Sequence, residues 1–83
     1  MEEREEIKVD ARLDAIGLYC PMPIILTTKK LKELKVGDIL EITADDEGVK
    51  KDIPQWCKQT GNEFIQIEED EGIFKVIIRK LKE

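Results

Sequence analysis

Histidine is absent from this chain. That removes in one step the Ser–His–Asp triad, the Cys–His dyad and the commonest zinc ligand. Cysteine is scarce: Cys20 and Cys57 are the only two. They are too far apart for a C-x-x-C redox motif and, without histidine, make no ordinary structural zinc site, so no metal is expected. Aromatics are 5% of the residues and the net charge is −5. The stacking platforms and basic footprint of a nucleic-acid binder are therefore missing, and no direct nucleic-acid binding is expected. No apolar run approaches membrane-spanning length, and residues 1–6 are almost wholly charged, so neither a membrane span nor a signal peptide is expected. With so few cysteines the expected compartment is a reducing cytoplasm. Asparagine occurs once while Lys and Glu dominate, a balance found in proteins of hot-growing organisms. The 83 residues suffice for one domain, taken as residues 7–83 behind a flexible N-terminus of residues 1–6. Such a domain buries only about 60–65% of its unfolded surface, so function is expected at the surface or on a protruding loop.

What is present is concentrated at Cys20-Pro21-Met22-Pro23. Proline is favoured at the first helical position, because its φ is preset and its missing N–H has no partner there anyway. An apolar-periodic run follows from Ile24, which puts Cys20 at or just before a helix N-terminus. Such an end carries partial positive charge and free N–H groups. With Cys20 as cap, the donors left in the first turn are those of Met22 and Ile24, and a thiolate would accept from Met22. A dipole worth at most ~2 kcal/mol lowers a thiol pKa from about 8.5 to roughly 7–7.5, enough for reactivity at neutral pH. With no imidazole available, the helix terminus and nearby lysines are the remaining activators.

Along the chain, Ile7, Val9, Ala11 and Leu13 alternate with Lys8, Asp10 and Arg12 as a half-buried strand. Asp14–Tyr19 form a connection, with Gly17 as its positive-φ residue. The first helix is predicted from Pro21 to Leu34, its apolar side carrying Ile24, Thr27, Thr28, Leu31 and Leu34. Lys29, Lys30, Lys32 and Lys35 complement the dipole at its C-terminal end. Ile39–Ala44 reads as a central strand. Asp45 and Asp46 are placed to cap a second helix from about Gly48 to Thr60. Its buried face is Val49, Ile53, Trp56, Cys57 and Thr60, making Cys57 a core residue. Pro54 leaves two readings: a helix kinked at Pro54, or a regular helix starting near Asp52 after a looser turn. Gly61-Asn62 ends it. Glu63–Glu68 and Ile73–Lys80 are strands joined by a hairpin turn at Glu69-Asp70-Glu71-Gly72. In the last strand Phe74, Val76 and Ile78 face the core, against Lys75, Ile77 and Arg79. The fold class is α/β: a two-layer sandwich in β-α-β-α-β-β order, two helices on one face of a four-stranded mixed sheet.

Leu13-Asp14-Ala15-Ile16-Gly17-Leu18-Tyr19-Cys20-Pro21-Met22-Pro23 resembles the signature of the TusA-like (SirA-like) sulfur-carrier family. Ala44-Asp45-Asp46, Lys51-Asp52-Ile53-Pro54-Gln55-Trp56-Cys57 and Gly61 are similar to its second signature. The family often has proline where Glu47 stands and histidine where Asn62 stands. The resemblance implies a two-layer sandwich that carries sulfur as a persulfide on Cys20. It implies a cysteine desulfurase or rhodanese-type donor, and a downstream acceptor protein in tRNA thiolation, molybdenum-cofactor maturation or sulfur-compound oxidation. It implies a sulfurtransferase-type carrier rather than a stand-alone enzyme, without a permanently bound cofactor. Gly17, Pro21 and Pro23 are then expected to position the cysteine, and Tyr19, Met22, Lys29 and Lys30 to meet partners. A monomer is expected. The alternative is a regulatory interaction module with a redox-sensitive Cys20, binding its partner on the exposed sheet face.

Overall fold

Ala11, Leu13 and Ala15 point to one side of β1 (Ala11–Ala15), and the period of two sets where the core must lie. The computed structural model describes residues 9–19 and 22–82. The N-terminal residues 1–6, the predicted strand start at Ile7, and Cys20 and Pro21 lie outside the described residues. The remaining elements are α1 (Met22–Leu31), β2 (Ile39–Ala44), α2 (Val49–Thr60), β3 (Glu63–Asp70) and β4 (Ile73–Arg79). The sheet order is β1-β2-β4-β3. β1 and β2 are parallel, with Ala15 opposite Ala44; β4 runs antiparallel to both β2 and β3. The β-α-β-α-β-β order and mixed sheet are those predicted.

The parallel pair fixes the geometry of everything functional. A parallel neighbour needs a crossover, and α1 supplies it. Both helices therefore start at the end of the sheet where β1 and β2 finish.

The core lies between helices and sheet. Leu40, Ile42 and Ala44 of β2 and Phe74, Val76 and Ile78 of β4 are fully buried. They meet Leu31 of α1 and Val49, Ile53 and Cys57 of α2. Each large side chain so buried contributes about 1.5–3 kcal/mol over an exposed one.

Several details depart from the sequence reading, among them β1, which takes in Asp14 and Ala15, read as connection, and leaves out Val9. Of the predicted α1 stripe, Thr27 and Leu31 are buried and Ile24 and Leu34 half-buried against the core, but Thr28 is exposed and Pro23 is buried in addition. A fully buried threonine is tolerated because its hydroxyl donates to Pro23 O at 2.7 Å. Regular α1 stops at Leu31 rather than Leu34. Lys32, Glu33 and Leu34 instead donate to the carbonyls three residues back, the tightened turn common at helix ends. β3 continues to Asp70, so the hairpin turn is Glu71-Gly72 alone, with φ 53° and 82°. Both residues at positive φ match the two-residue turn whose twist suits a hairpin. Finally, Ile77 is 5% exposed although it faces away from the helices. It lies between Glu41 of β2 and Gln66 of β3, in an interior strand whose neighbours carry long side chains with apolar stems.

Pro54 sits inside α2, which runs unbroken from Val49 to Thr60, so a regular helix starting only near Asp52 is excluded. The irregularity in β3 is a bulge between Phe64 and Gln66, which lets both Phe64 and Ile67 pack on the core. Asn62 ties the corner after α2 to the C-terminal tail, its Oδ1 accepting from Leu81 N–H at 3.0 Å.

Candidate functional site

The connection from β1 to α1 is the short stretch that carries the Cys-Pro-x-Pro run. Its backbone is well occupied. Ile16 N–H donates to Asp14 Oδ1 at 3.0 Å, and Leu18 N–H to Ala15 O at 3.2 Å. Gly17 has φ 86°, a conformation open to glycine at little cost, and its N–H donates to Asp45 Oδ1 at 2.9 Å. Met22 N–H donates to Tyr19 O at 2.8 Å. That last bond corrects an expectation: the Met22 donor is spent on the Tyr19 carbonyl and is not free for a thiolate.

Cys20 and Pro21 are outside the described residues, but the residues on either side of them are fixed. Tyr19 is 77% exposed, and Ile16, Met22 and Ile25 are exposed as well. Four apolar side chains thus stand in water around the stretch that bears Cys20, at the end of a small domain that buries most of its other large apolar residues. Pro23 is wholly buried against the core. Its ring anchors the first turn of α1 from beneath, while Met22 one residue earlier stays outside.

Lys29 and Lys30 are not beside this loop. They occupy the last turn of α1, about 10 Å along the axis from Met22 at 1.5 Å per residue. Lys30 is engaged with Glu33 at 3.6 Å. A groove of about 180 Å³ between the C-terminal halves of the two helices, bordered by Leu31, Lys32, Trp56 and Lys82, also lies toward that far end.

Cys57 belongs to the core, at 1% exposure. Burial pushes its thiol up to about 11, so it stays protonated at neutral pH.

Two residues have tasks the sequence reading did not assign them, Asp45 at this loop and Lys80 at the far end of α1. Asp45 does not cap α2. The helix begins at Gly48 with no side-chain cap, and the Asp45 carboxylate turns to Gly17 instead. Lys80 is 6% exposed, and its Nζ donates to Leu31 O at 2.6 Å and Leu34 O at 2.7 Å. It satisfies the carbonyl end of α1, the task the sequence suggested for Lys29–Lys35. Periodicity gives no signal for either, because the partners are 28 and 49 residues away.

The family model described as sulfurtransferase TusA matches residues 11–80. A sulfur carrier protein TusA of Pseudomonas syringae is 39% identical over 79 residues, covering 95% of this chain and 94% of its own. That of Pseudomonas putida is 41% identical over 71 residues, covering 86% of this chain and 89% of its own. Among solved structures, a SirA-like protein from Desulfitobacterium hafniense superposes with a TM-score of 0.74 at 26% identity, over 87% of this chain and 99% of that one. No described helix is long and apolar enough to cross a membrane.

Proposed function

Because the chain belongs to the TusA sulfurtransferase family, we propose that Cys20 carries sulfur as a persulfide and hands it to a partner protein. The observation that carries this reading is the exposure of the residues bracketing Cys20, Tyr19 and Met22, at the N-terminal end of α1. A thiol delivered there is open to another protein's cysteine.

The chemistry is thiol–disulfide exchange. The Cys20 thiolate attacks the outer sulfur of a donor persulfide. A bond forms between Cys20 Sγ and that sulfur, the donor's S–S bond breaks, and the donor leaves as a thiolate. An acceptor thiolate then repeats the step on the outer sulfur of Cys20. No net oxidation occurs in either transfer. Such exchange is fastest when the attacking thiol has a pKa near ambient pH, which a helix N-terminus favours without a general base. The donor is of the cysteine desulfurase or rhodanese type, and the carrier acts as a monomer in a reducing compartment such as the cytoplasm. Gly17, Pro21 and Pro23 position the thiol; Tyr19 and Met22, joined by Ile16 and Ile25, meet the partner. Lys29 and Lys30 act at longer range, steering encounter rather than making contact. The destination is tRNA thiolation, molybdenum-cofactor maturation or other sulfur metabolism.

Incubation with a cysteine desulfurase and cysteine, followed by intact mass, tests this. A reductant-labile gain of roughly 32 Da is expected, one sulfur per chain. The same gain on Cys20→Ser protein would overturn the proposal.

A further inference from the structure

Among residues 16–19, one hydrogen bond ties the loop that leads to Cys20 to the rest of the fold, beside the half-buried Leu18 packed on the core. Of the donors around it, Ile16 bonds to Asp14, Leu18 to Ala15 and Met22 to Tyr19, all within the same stretch of chain. Gly17 differs. Its N–H reaches 28 residues along the sequence to Asp45 Oδ1 at 2.9 Å. Among the described residues this is the one hydrogen bond from residues 16–19 to another element.

The acceptor is well anchored. Asp45 directly follows Ala44, which pairs with Ala15 in the parallel ladder, and both alanines are wholly buried. The carboxylate therefore hangs from a rigid strand end, and a bond between a carboxylate and a backbone N–H is among the stronger kinds. Gly17 has open space where a Cβ would stand, so only its positive φ demands glycine.

We infer that Asp45 is a positioning residue for sulfur transfer: through the Gly17 N–H it fixes the loop that presents Cys20 to a partner. The inference rests on the carrier reading of Cys20. The carboxylate touches neither the sulfur nor the partner's thiol. It restricts the directions the loop can take, and in-line exchange between two protein-bound sulfurs is sensitive to small displacements of the attacking atom.

The test compares the wild type with Asp45→Ala, Asp45→Gln and Asp45→Asn. Sulfur uptake from a persulfidated cysteine desulfurase is followed in single turnover, and amide hydrogen exchange is followed at Gly17, Ile42 and Ile53. Alanine removes the acceptor and glutamine displaces it by a methylene. Both should slow uptake about tenfold, as for the loss of one charge-assisted hydrogen bond, and speed exchange at Gly17 alone. Asparagine keeps an oxygen in the same place and should return both to near wild-type values. If Asp45→Ala also loses protection at Ile42 and Ile53, the fold has been disturbed and Asp45→Gln decides. Wild-type uptake in the variant that keeps its core protection overturns the inference. So does an Asp45→Asn protein as slow as Asp45→Ala with Gly17 still protected, since charge and not position would then be at work. If the wild type itself takes up no sulfur, the carrier reading fails instead. Alkylation rates of Cys20 across the same proteins then score the tether, and equal rates overturn it.

Discussion

The two cysteines show how environment rather than residue type decides reactivity. Cys57 faces Val49 and Ile53 along one stripe of α2 and is sealed in the core. With its folded pKa raised from 9.0 to about 11 by desolvation, the sign of its contribution is fixed. Below pH 9 the thiol is protonated in both folded and unfolded chains, and its contribution is fully present. Between pH 9 and about 11 the unfolded chain loses the proton and the folded one keeps it, so stability falls with a limiting slope of about 1.4 kcal/mol per pH unit. Urea midpoints across this range should decline more steeply for the wild type than for Cys57→Ala. Parallel curves would show that burial does not hold the proton. At neutral pH, Cys57→Ala should cost of order 1 kcal/mol, as for a small core truncation, while sulfur uptake is retained. Lost uptake in a folded Cys57→Ala protein would identify a second relay thiol.

At the scale of elements, helix ends and turns are completed by residues distant in sequence. Lys80 reaches from the end of β4 to two carbonyls at the end of α1. Lys80→Met keeps most of the stem but leaves both carbonyls without this donor. It should destabilise by ~2–3 kcal/mol, whereas exposed Lys35→Ala should stay within about 0.5 kcal/mol. Chemical denaturation of the two variants compares them directly. Equal effects would mean that the local lysines, and not Lys80, complete the helix. In the β3–β4 turn, Glu71 holds φ 53° without being glycine. Asparagine adopts that conformation more readily, so Glu71→Asn should raise stability by ~0.5–1 kcal/mol. An unchanged midpoint would argue that the turn geometry is not strained by glutamate.

Over the whole molecule, the two faces and two ends have different tasks. The sheet face away from the helices carries ion pairs: Glu41 accepts from Arg12 Nε at 2.7 Å and lies 3.5 Å from Lys75 Nζ, while Arg79 meets Glu63 at 2.8 Å. A face of paired, mostly solvent-exposed charges rather than open apolar surface makes a poor match for the interaction module considered from sequence. The exposed apolar side chains Ile16, Tyr19, Met22 and Ile25 gather instead where β1 ends and α1 begins. Tyr19→Ala and Met22→Ala should each slow transfer to a protein acceptor several-fold while leaving alkylation of Cys20 by a small reagent within about twofold, as for loss of contact area at a docking rim. Lys75→Gln should leave both unchanged. Loss of transfer in Lys75→Gln would move the docking face to the open sheet.

The order of elements, the class of fold and a helix opening within the proline-bearing run, here from Met22, were legible in the sequence alone. Each is written in spacings of two, three or four residues, or in prolines and glycines whose allowed backbone angles are few. The core face of β4 followed from the same alternation, and the placing of Cys57 from its distance to Val49 and Ile53. Tertiary structure decided the rest. α1 turns Pro23 inward and leaves Thr28 exposed because a mixed apolar and threonine surface permits more than one buried stripe, and only the facing sheet selects between them. Ile77 is covered because β4 is an interior strand, a fact set by strand order. Asp45 meets Gly17 because parallel register brings Ala15 beside Ala44, and Lys80 meets Leu31 because β4 ends where α1 does. Local propensity acts over a few residues of chain; a carboxylate that finds its donor 28 residues away is chosen by packing.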